Sequence, residues 1–282
     1  MRKELHEANR LSWNEATRAH NSHKGDQANF FRAGGTTLFA EEKELLGTIV
    51  DLSLVHLQCN AGQDTLSLAR LGATVTGVDI SDEAIAFAQQ LSEQSGIPAT
   101  FYRADLFDWF EESLQQGRQF DVAFSSYGAI CWLSNLKLWA KGVASVLKPN
   151  GRLVMVDFHP AAMIFDEDWN HAFPYFADGQ PMTWNDGVGD YVAESRSGLS
   201  PDYQAGIENF QNPHPSHEFQ WSIGDILTAL LEADLTLKVF KEYPYSNGWK
   251  PFKHMQETPD RRMFPPSGKP SLPLMYGLVA QK

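Results

Sequence analysis

The sequence predicts an α/β fold, a doubly wound and mostly parallel sheet with helices on both faces. Between residues 51 and 158, apolar runs of strand length alternate with longer stretches in which apolar residues follow helical spacing. Turn signals such as Gly72, Gly96 and residues 148–151 separate the two patterns. Strands that alternate with helices pair in parallel, and right-handed crossovers place the helices on both faces of the sheet.

The individual elements follow in chain order. Five strands are predicted, at residues 54–59, 74–78, 99–104, 121–125 and 152–158. The helix at residues 63–71 ends at Gly72, because glycine readily adopts the left-handed backbone of a helix C-terminus. Ser81 can cap the next helix, whose apolar face is formed by Ala84, Ile85, Ala88 and Leu91. A further helix is predicted between Ser134 and Leu147, from the spacing of its apolar residues.

Beyond residue 158 the periodicity stops and later returns. Residues 159–217 are rich in aromatic residues, Gly, Pro and acids. A structureless loop of this length is unusual in a compact domain, so we expect an inserted lid with short strands. A helix at 222–233 and strands at 235–243 and 274–280 then complete the core. The predicted regions are an N-terminal helical cap (1–50), a cofactor-binding core (51–158), the lid (159–217) and the C-terminal part of the core (218–282).

Composition excludes several classes of protein. The 282 residues include 35 acidic and 23 basic side chains, a net charge of −12 with His neutral. Nucleic-acid binders concentrate Lys and Arg opposite phosphates, so we expect no nucleic-acid partner. We expect no membrane partner either, because the chain lacks a run of about 18 apolar residues and its charged start lacks a signal peptide's apolar stretch. Cys59 and Cys131 lie in apolar segments, which predicts free thiols and a cytoplasmic location.

Residues 54–79 carry the functional prediction. In a doubly wound sheet, ligands bind beyond the carboxyl ends of the strands, and the first strand–helix turn needs small residues where the backbone approaches the ligand. That turn is formed by residues 58–64 and contains Gly62. Asp79 follows at the end of the second strand, where a carboxylate can accept both hydroxyls of a ribose. This pattern predicts a cofactor that contains adenosine.

These residues resemble the class I, Rossmann-like methyltransferases that use S-adenosylmethionine. The stretch VHLQCNAGQDTLSLARLGATVTGVDISDEAI looks like the first two motifs of the family, and ADLFDW and FDVAFSSYGAICWL look like the next two. The resemblance covers residues 50–158, returns at LPLMYGLVAQK, and favours a bacterial branch that acts on small molecules. It implies S-adenosylmethionine as cofactor and a seven-stranded sheet whose last strand lies antiparallel between the fifth and the sixth.

The resemblance also implies a set of cofactor contacts. Asp79 would hold the ribose and Ile80 would pack on the adenine. Asp105, after the third strand, would accept from the adenine amino group beside the backbone amide of Leu106. Ser126, after the fourth strand, would lie near the methionine end of the cofactor.

The first motif departs from the family pattern. An acid usually precedes three glycines there, but His56 stands in place of the acid, and Gln58 and Asn60 replace two glycines. His56 is expected either to bond the cofactor or helix amides as the acid would, or to be a core histidine. Asn60 tolerates positive φ better than most residues. We therefore expect Gln58, Asn60 and Gly62 to remain part of the cofactor site.

Methyl transfer requires alignment of the acceptor, and a base only when the acceptor arrives protonated. His159 directly follows the fifth strand and is the first candidate for a base or for orienting the acceptor; the alternative is that it bonds the lid at the strand end. Tyr127 is the second catalytic candidate. Together with Trp132 it follows the fourth strand, and both rings are expected to shape a pocket for a small-molecule acceptor.

Two other functions fit part of the pattern. A dinucleotide-dependent oxidoreductase needs a Gly-x-Gly-x-x-Gly turn, whereas this turn has one glycine and Asp64 would repel a diphosphate at the helix start. A non-catalytic protein that binds an adenosyl cofactor is the second alternative. His214, His217 and Glu218 have the residue types of a metal site, but Pro215 interrupts their spacing and we expect no metal.

Overall fold

The computed structural model describes residues 1–282 and contains twelve strands and nine α-helices. The strands are β1 (Ser53–Leu57), β2 (Thr74–Asp79), β3 (Thr100–Arg103), β4 (Phe120–Ser126), β5 (Leu147–Phe158), β6 (Pro181–Trp184), β7 (Ser216–Phe219), β8 (Thr236–Tyr243), β9 (Ser246–Asn247), β10 (Gln256–Glu257), β11 (Arg262–Phe264) and β12 (Met275–Gln281). The helices are α1 (Lys3–Ser22), α2 (Gln27–Arg32), α3 (Ala40–Leu46), α4 (Gln63–Arg70), α5 (Asp82–Ser95), α6 (Leu106–Gln115), α7 (Leu136–Val146), α8 (Tyr191–Ser195) and α9 (Ile223–Glu232). A short 3₁₀ helix spans Ile130–Trp132.

Seven strands form the central sheet, in the order β3-β2-β1-β4-β5-β12-β8. The first five strands pair in parallel, and β12 lies antiparallel between β5 and β8. Gly277 of β12 stands opposite Val156 on one side and Lys241 on the other. The prediction of a doubly wound sheet with an antiparallel last strand is confirmed.

Alternation along the strands sends side chains to the two faces of the sheet. Val55 and Leu57 join a buried cluster with α6, α7 and α9, whereas Leu54 joins a cluster with α3 and α4 on the other face. Trp109 and Trp139 are the largest side chains of the first cluster and are almost fully buried. None of the helices is long and apolar enough to cross a membrane.

Local signals in the sequence set the helix ends. The Ser81 hydroxyl accepts from the amide of Ala84 at 3.1 Å and caps α5, and Gly96 ends that helix with φ +72°. Helix α6 was not predicted from the sequence; the Asp105 carboxylate caps it by accepting from the amide of Phe107 at 2.9 Å. Its signal was present, since four of the five residues after Asp105 are apolar and buried.

The N-terminal cap is helical, as predicted, and contains the three helices α1, α2 and α3. Its long helix α1 lies against α5, where Arg10 pairs with Asp82 and Asn14 accepts from the Ser81 hydroxyl at 2.7 Å. Residues 159–217, here called the insertion, contain β6, α8 and one end of β7, which pairs with β6. Residues 244–272 hold the small sheet β9–β11–β10.

The turn from β1 to α4 requires unusual backbone conformations. Gln58, Asn60 and Gly62 have φ values of +54°, +46° and +79°. A Cβ at Gly62 would lie 2.7 Å from the Cβ of Ala88 and 3.1 Å from the ring of Phe101. Gly62 is therefore required both for its left-handed backbone and for the close approach of α4 to α5.

Replacement of Gly62 by alanine measures the energetic cost of the left-handed backbone and that of the close packing together. We expect Gly62→Ala to lower the free energy of unfolding by about 2–5 kcal/mol. The alanine must adopt a left-handed backbone, and its Cβ is also overpacked against neighbouring atoms. Gly96→Ala is the matched control, since Gly96 has φ +72° but no atom within 4 Å of an added Cβ. It should cost about 1–2 kcal/mol. Urea denaturation measures the free energy of unfolding of both variants. Equal losses of stability in the two variants would contradict the packing argument.

Candidate active site

A cavity of about 560 Å³ lies at the carboxyl ends of β1, β2, β4 and β5. This is the edge of a doubly wound sheet where ligands bind, and the volume is typical of a small-molecule site. Helix α1 contributes part of the wall through Asn9 and Trp13, and the insertion contributes Tyr191. Among the residues predicted for the site, the lining contains His56, Gln58, Asn60, Asp79, Ile80, Asp105, Leu106, Ser126 and Tyr127.

Asp79 lies at the end of β2 and binds the neighbouring turn. One carboxylate oxygen accepts from the amide of Asn60 at 2.8 Å, and the other accepts from the amide of Ser81 at 2.9 Å. Burial raises the pKa of Asp79, and these amide hydrogen bonds oppose the increase. Each oxygen retains a lone pair for a further donor, as two ribose hydroxyls would require. Ile80 follows as an apolar wall residue.

The side chains of the turn are also engaged. Gln58 donates from Nε2 to the carbonyl of Ala129 at 2.7 Å, which fixes the turn to the residues after β4. Its Oε1 atom is buried and has no hydrogen-bond partner. Asn60 accepts from the amide of Ala61 at 2.7 Å. The Gln58 oxygen is therefore a buried acceptor to which the protein itself supplies no donor.

His56 lies at the base of the cavity and is 2% exposed. Its Nδ1 lies 2.9 Å from the Thr65 hydroxyl and its Nε2 lies 3.3 Å from the Ser126 hydroxyl. Burial lowers the pKa of His56 to about 4, so the ring is neutral near pH 7. The ring thus links β1 to α4 and β4, and its expected contact with the cofactor stays a prediction.

Asp105 combines the capping of α6 with a contact to the N-terminal helix. Its second oxygen lies 2.7 Å from Nδ1 of His6, a residue that the sequence analysis missed. The amide of Ser134 donates to Nε2 of His6 at 3.2 Å, so Nδ1 carries the proton and donates to Asp105. Stacking on Phe107, with ring centroids 5.5 Å apart, orients the His6 ring. Helix α1 therefore orients the carboxylate that the resemblance assigns to the adenine.

Tyr127 points its hydroxyl toward buried polar groups at one side of the cavity. Nδ2 of Asn247 donates to this hydroxyl at 2.8 Å, and the buried Glu42 carboxyl lies nearby. Burial, followed by the charge of Glu42, raises the pKa of Tyr127 well above its usual value. The phenol is therefore protonated near pH 7 and does not act as a base there.

His159 does not reach the cavity, which corrects its prediction as a catalytic residue. Its Nδ1 accepts from the amide of Ala161 at 3.1 Å, and its Nε2 lies 3.0 Å from the Glu242 carboxylate on β8. Burial lowers the pKa of His159, and Glu242 opposes this. The ring packs edge-on against Tyr276, so it closes the strand end instead of facing a ligand.

The far end of the cavity contains two carboxyl groups that sequence reasoning did not assign to it. Asp157 ends β5 and accepts from the amides of Gly128 and Phe158. Burial raises the pKa of Asp157 to about 6. Glu218, on β7, accepts from Nε1 of Trp184 at 3.1 Å, and burial raises its pKa.

The three residues weighed as metal ligands do not converge. His217 bonds the Thr183 hydroxyl through Nδ1 at 2.9 Å, whereas Glu218 bonds Trp184 and lines the cavity. No group of three or more His, Cys, Asp or Glu side chains in the chain is arranged to hold a metal ion.

Acidic groups dominate the charge of the cavity. Its carboxylates are Asp64, Asp79, Asp105, Asp157, Asp202 and Glu218. Lys24 is the only Lys or Arg in the lining, and its ammonium forms no ion pair within 4.0 Å. Burial lowers the pKa of Lys24 to about 8. The cavity therefore suits a ligand with more positive than negative groups, and Lys24 provides one place for an anion.

Comparisons with known proteins are consistent with this site. A family described as "Methyltransferase domain" matches residues 51–192, half of the chain. The methyltransferase YqeM of Bacillus subtilis is 29% identical over 144 residues, which cover 46% of this chain and 56% of that protein. A ubiquinone biosynthesis O-methyltransferase of Methylobacterium nodulans is 31% identical over 100 residues, 36% of this chain and 38% of that protein. The chain thus matches about half or less of the length of these curated relatives.

The fold has solved counterparts. An S-adenosylmethionine-dependent methyltransferase structure from Listeria monocytogenes aligns with a TM-score of 0.54 over 86% of this chain and 95% of that chain. The two sequences are 16% identical, so this likeness concerns the fold alone.

The neutral His56 predicts a pH dependence of stability. The unfolded chain binds more protons than the folded chain between the usual pKa of 6.5 and the folded value of about 4, so stability decreases as pH falls through this window. We expect His56→Asn to reduce that decrease by about 3 kcal/mol. Urea denaturation at several pH values between 7 and 4 measures this loss of stability, and His254→Asn at an exposed position is the control. An unchanged slope for His56→Asn would contradict the assignment.

Proposed function

This chain belongs to the class I methyltransferases that depend on S-adenosylmethionine, and we propose that it transfers the methyl group to a small-molecule acceptor. The observation that carries this proposal is the charge of the cavity, whose lining contains six carboxylates and one lysine. A sulfonium donor has two cationic groups and one carboxylate. This donor, with more positive than negative groups, complements the cavity in the sign of its charge.

Individual residues provide a partner for each part of the donor. Asp79 has lone pairs left for the ribose hydroxyls, and the free Oε1 of Gln58 can accept from the ammonium of the methionine part. Lys24 can pair with the methionine carboxylate, since its ammonium forms no ion pair within 4.0 Å and Asp64 and Asp190 act on it only as more distant charges. When bound, S-adenosylmethionine supplies a methyl group already activated by its positive sulfur. The protein then has to align the acceptor and exclude water.

The enclosure of the cavity supports a small acceptor. Helix α1 and the insertion are joined across the site, because Nε2 of His20 bonds the carbonyl of Gly189 at 2.9 Å and Asn212 donates to the carbonyl of Ser12 at 2.9 Å. An acceptor must fit within the space that they leave. The ubiquinone biosynthesis O-methyltransferases among the relatives are named for a small-molecule pathway, which agrees with this proposal.

The same features argue against a dinucleotide cofactor. Asp64 lies in the first turn of α4 and accepts from the Thr37 hydroxyl at 2.5 Å. A pyrophosphate at this helix start would face that carboxylate. We therefore prefer methyl transfer to hydride transfer.

Calorimetry with S-adenosylhomocysteine and with NAD tests the choice of cofactor. We expect micromolar affinity for S-adenosylhomocysteine and no measurable binding of NAD. Transfer of a labelled methyl group to a panel of phenols, amines and thiols then distinguishes an enzyme from a non-catalytic binding protein. Binding of NAD without binding of S-adenosylhomocysteine would overturn the proposal.

Two substitutions test the contacts to the ribose and to the methionine carboxylate of the donor separately. Asp79→Asn should weaken the binding of both adenosine and S-adenosylhomocysteine by about tenfold to a hundredfold, because charge-assisted hydrogen bonds to the ribose are lost. Lys24→Met should weaken S-adenosylhomocysteine by about tenfold and leave adenosine unchanged, because adenosine has no carboxylate. Asp108→Asn, at an exposed position on α6, is the control for both. An equal effect of Lys24→Met on the two ligands would refute its assigned role.

A further inference from the structure

The end of the cavity remote from Lys24 carries information about the acceptor. Strand β7 packs against the 3₁₀ helix that follows β4, and this brings Glu218 near Cys131. Both residues line the cavity, together with Asp157 at the end of β5. The proposed donor site, at the turn after β1 and the end of β2, leaves this region of the cavity for the acceptor.

Glu218 has one carboxylate oxygen bound and one free. Nε1 of Trp184 donates to Oε2 at 3.1 Å, which fixes the orientation of the carboxylate. No side chain or backbone donor of the chain contacts Oε1. No Lys or Arg side chain lies within 4.0 Å of Glu218. The carboxylate is therefore oriented but not neutralised, within a cavity that it lines.

Aromatic rings surround this region. Trp184 packs edge-on against Phe173, with ring centroids 5.6 Å apart. Trp132 packs edge-on against Trp13 at 5.4 Å, and all four rings line the cavity. Rings of this kind bind the apolar body of a ligand, and their faces attract cations. Carboxylates, aromatic faces and the absence of a nearby basic group repel an anionic acceptor.

We propose that the acceptor is a small amine with an apolar body, and that Glu218 binds its ammonium group among these rings. This proposal rests on the methyltransferase function proposed above and names the class of acceptor. A phenol or thiol would leave the aromatic faces and the free oxygen of Glu218 without a cation.

Glu218 accepts the proton that the ammonium group must lose before its nitrogen can receive the methyl group. The ammonium nitrogen gives one proton to the Glu218 carboxylate. This transfer frees the electron pair of the nitrogen. That pair forms the new bond to the methyl carbon, while the pair of the broken carbon–sulfur bond stays on sulfur. The products are the N-methylammonium and S-adenosylhomocysteine, and Glu218 returns its proton to solvent.

Three probes with the same apolar body test the proposal by binding. We would titrate 2-phenylethylamine, 2-phenylethanol and 3-phenylpropionate into the protein saturated with S-adenosylhomocysteine, using calorimetry. We expect the amine to bind at least about tenfold more tightly than the alcohol, and the acid not to bind. Equal affinities, tighter binding of the acid or absence of amine binding in the S-adenosylhomocysteine complex would overturn the proposal. Failure to bind S-adenosylhomocysteine would instead overturn the proposed function.

Glu218→Gln tests the residue itself. The glutamine oxygen can still accept from Trp184, so the shape of the site is kept while the charge is removed. We expect the amine to lose about tenfold in affinity and the alcohol to change by less than about twofold. Glu208→Gln, at an exposed position of the insertion, is the control with the same charge change. Equal effects of the two substitutions, at unchanged melting temperature, would show that Glu218 does not bind the amine.

Discussion

The hydrogen bonds from the amides of Asn60 and Ser81 to the Asp79 carboxylate connect the parts of the molecule on which the site depends. They join the end of β2 to the turn before α4 and to the start of α5. The turn adopts positive φ at Gln58 and Asn60, where most residues are strained, and these amide contacts help to maintain it. A carboxylate that accepts two amides and still has free lone pairs can stabilise the fold and bind a ligand at once.

Helix α1 extends this arrangement from the core to the cover of the cavity. It contacts Ser81 through Asn14, orients Asp105 through His6, and bonds Gly189 of the insertion through His20. Helix α1 therefore connects the carboxylate that the resemblance assigns to the adenine with the insertion.

The lining of the cavity is acidic. Backbone amides donate to Asp79 and Asp157, and Trp184 donates to Glu218. Burial raises the pKa of these groups, to about 6 for Asp157. A cationic ligand would favour their ionised forms. Lys24, as the single basic group, defines the direction in which a ligand with one carboxylate would bind.

The sequence by itself determined the alternating strands and helices, their parallel pairing and the turn before Asp79, because these follow from periodicity, caps and one glycine. The place of the antiparallel last strand followed from the resemblance, and the order of the other strands came from the structure. It missed α6 because Asp105 was assigned to the ligand and not also to the helix cap, although the apolar residues after it were visible. Tertiary structure alone decided that His159 faces Glu242, that His6 orients Asp105 and that Glu218 enters the cavity. These contacts join residues far apart in the chain, through helix α1 and an insertion without regular periodicity. No local pattern encodes such pairings, since they depend on how separate elements pack together.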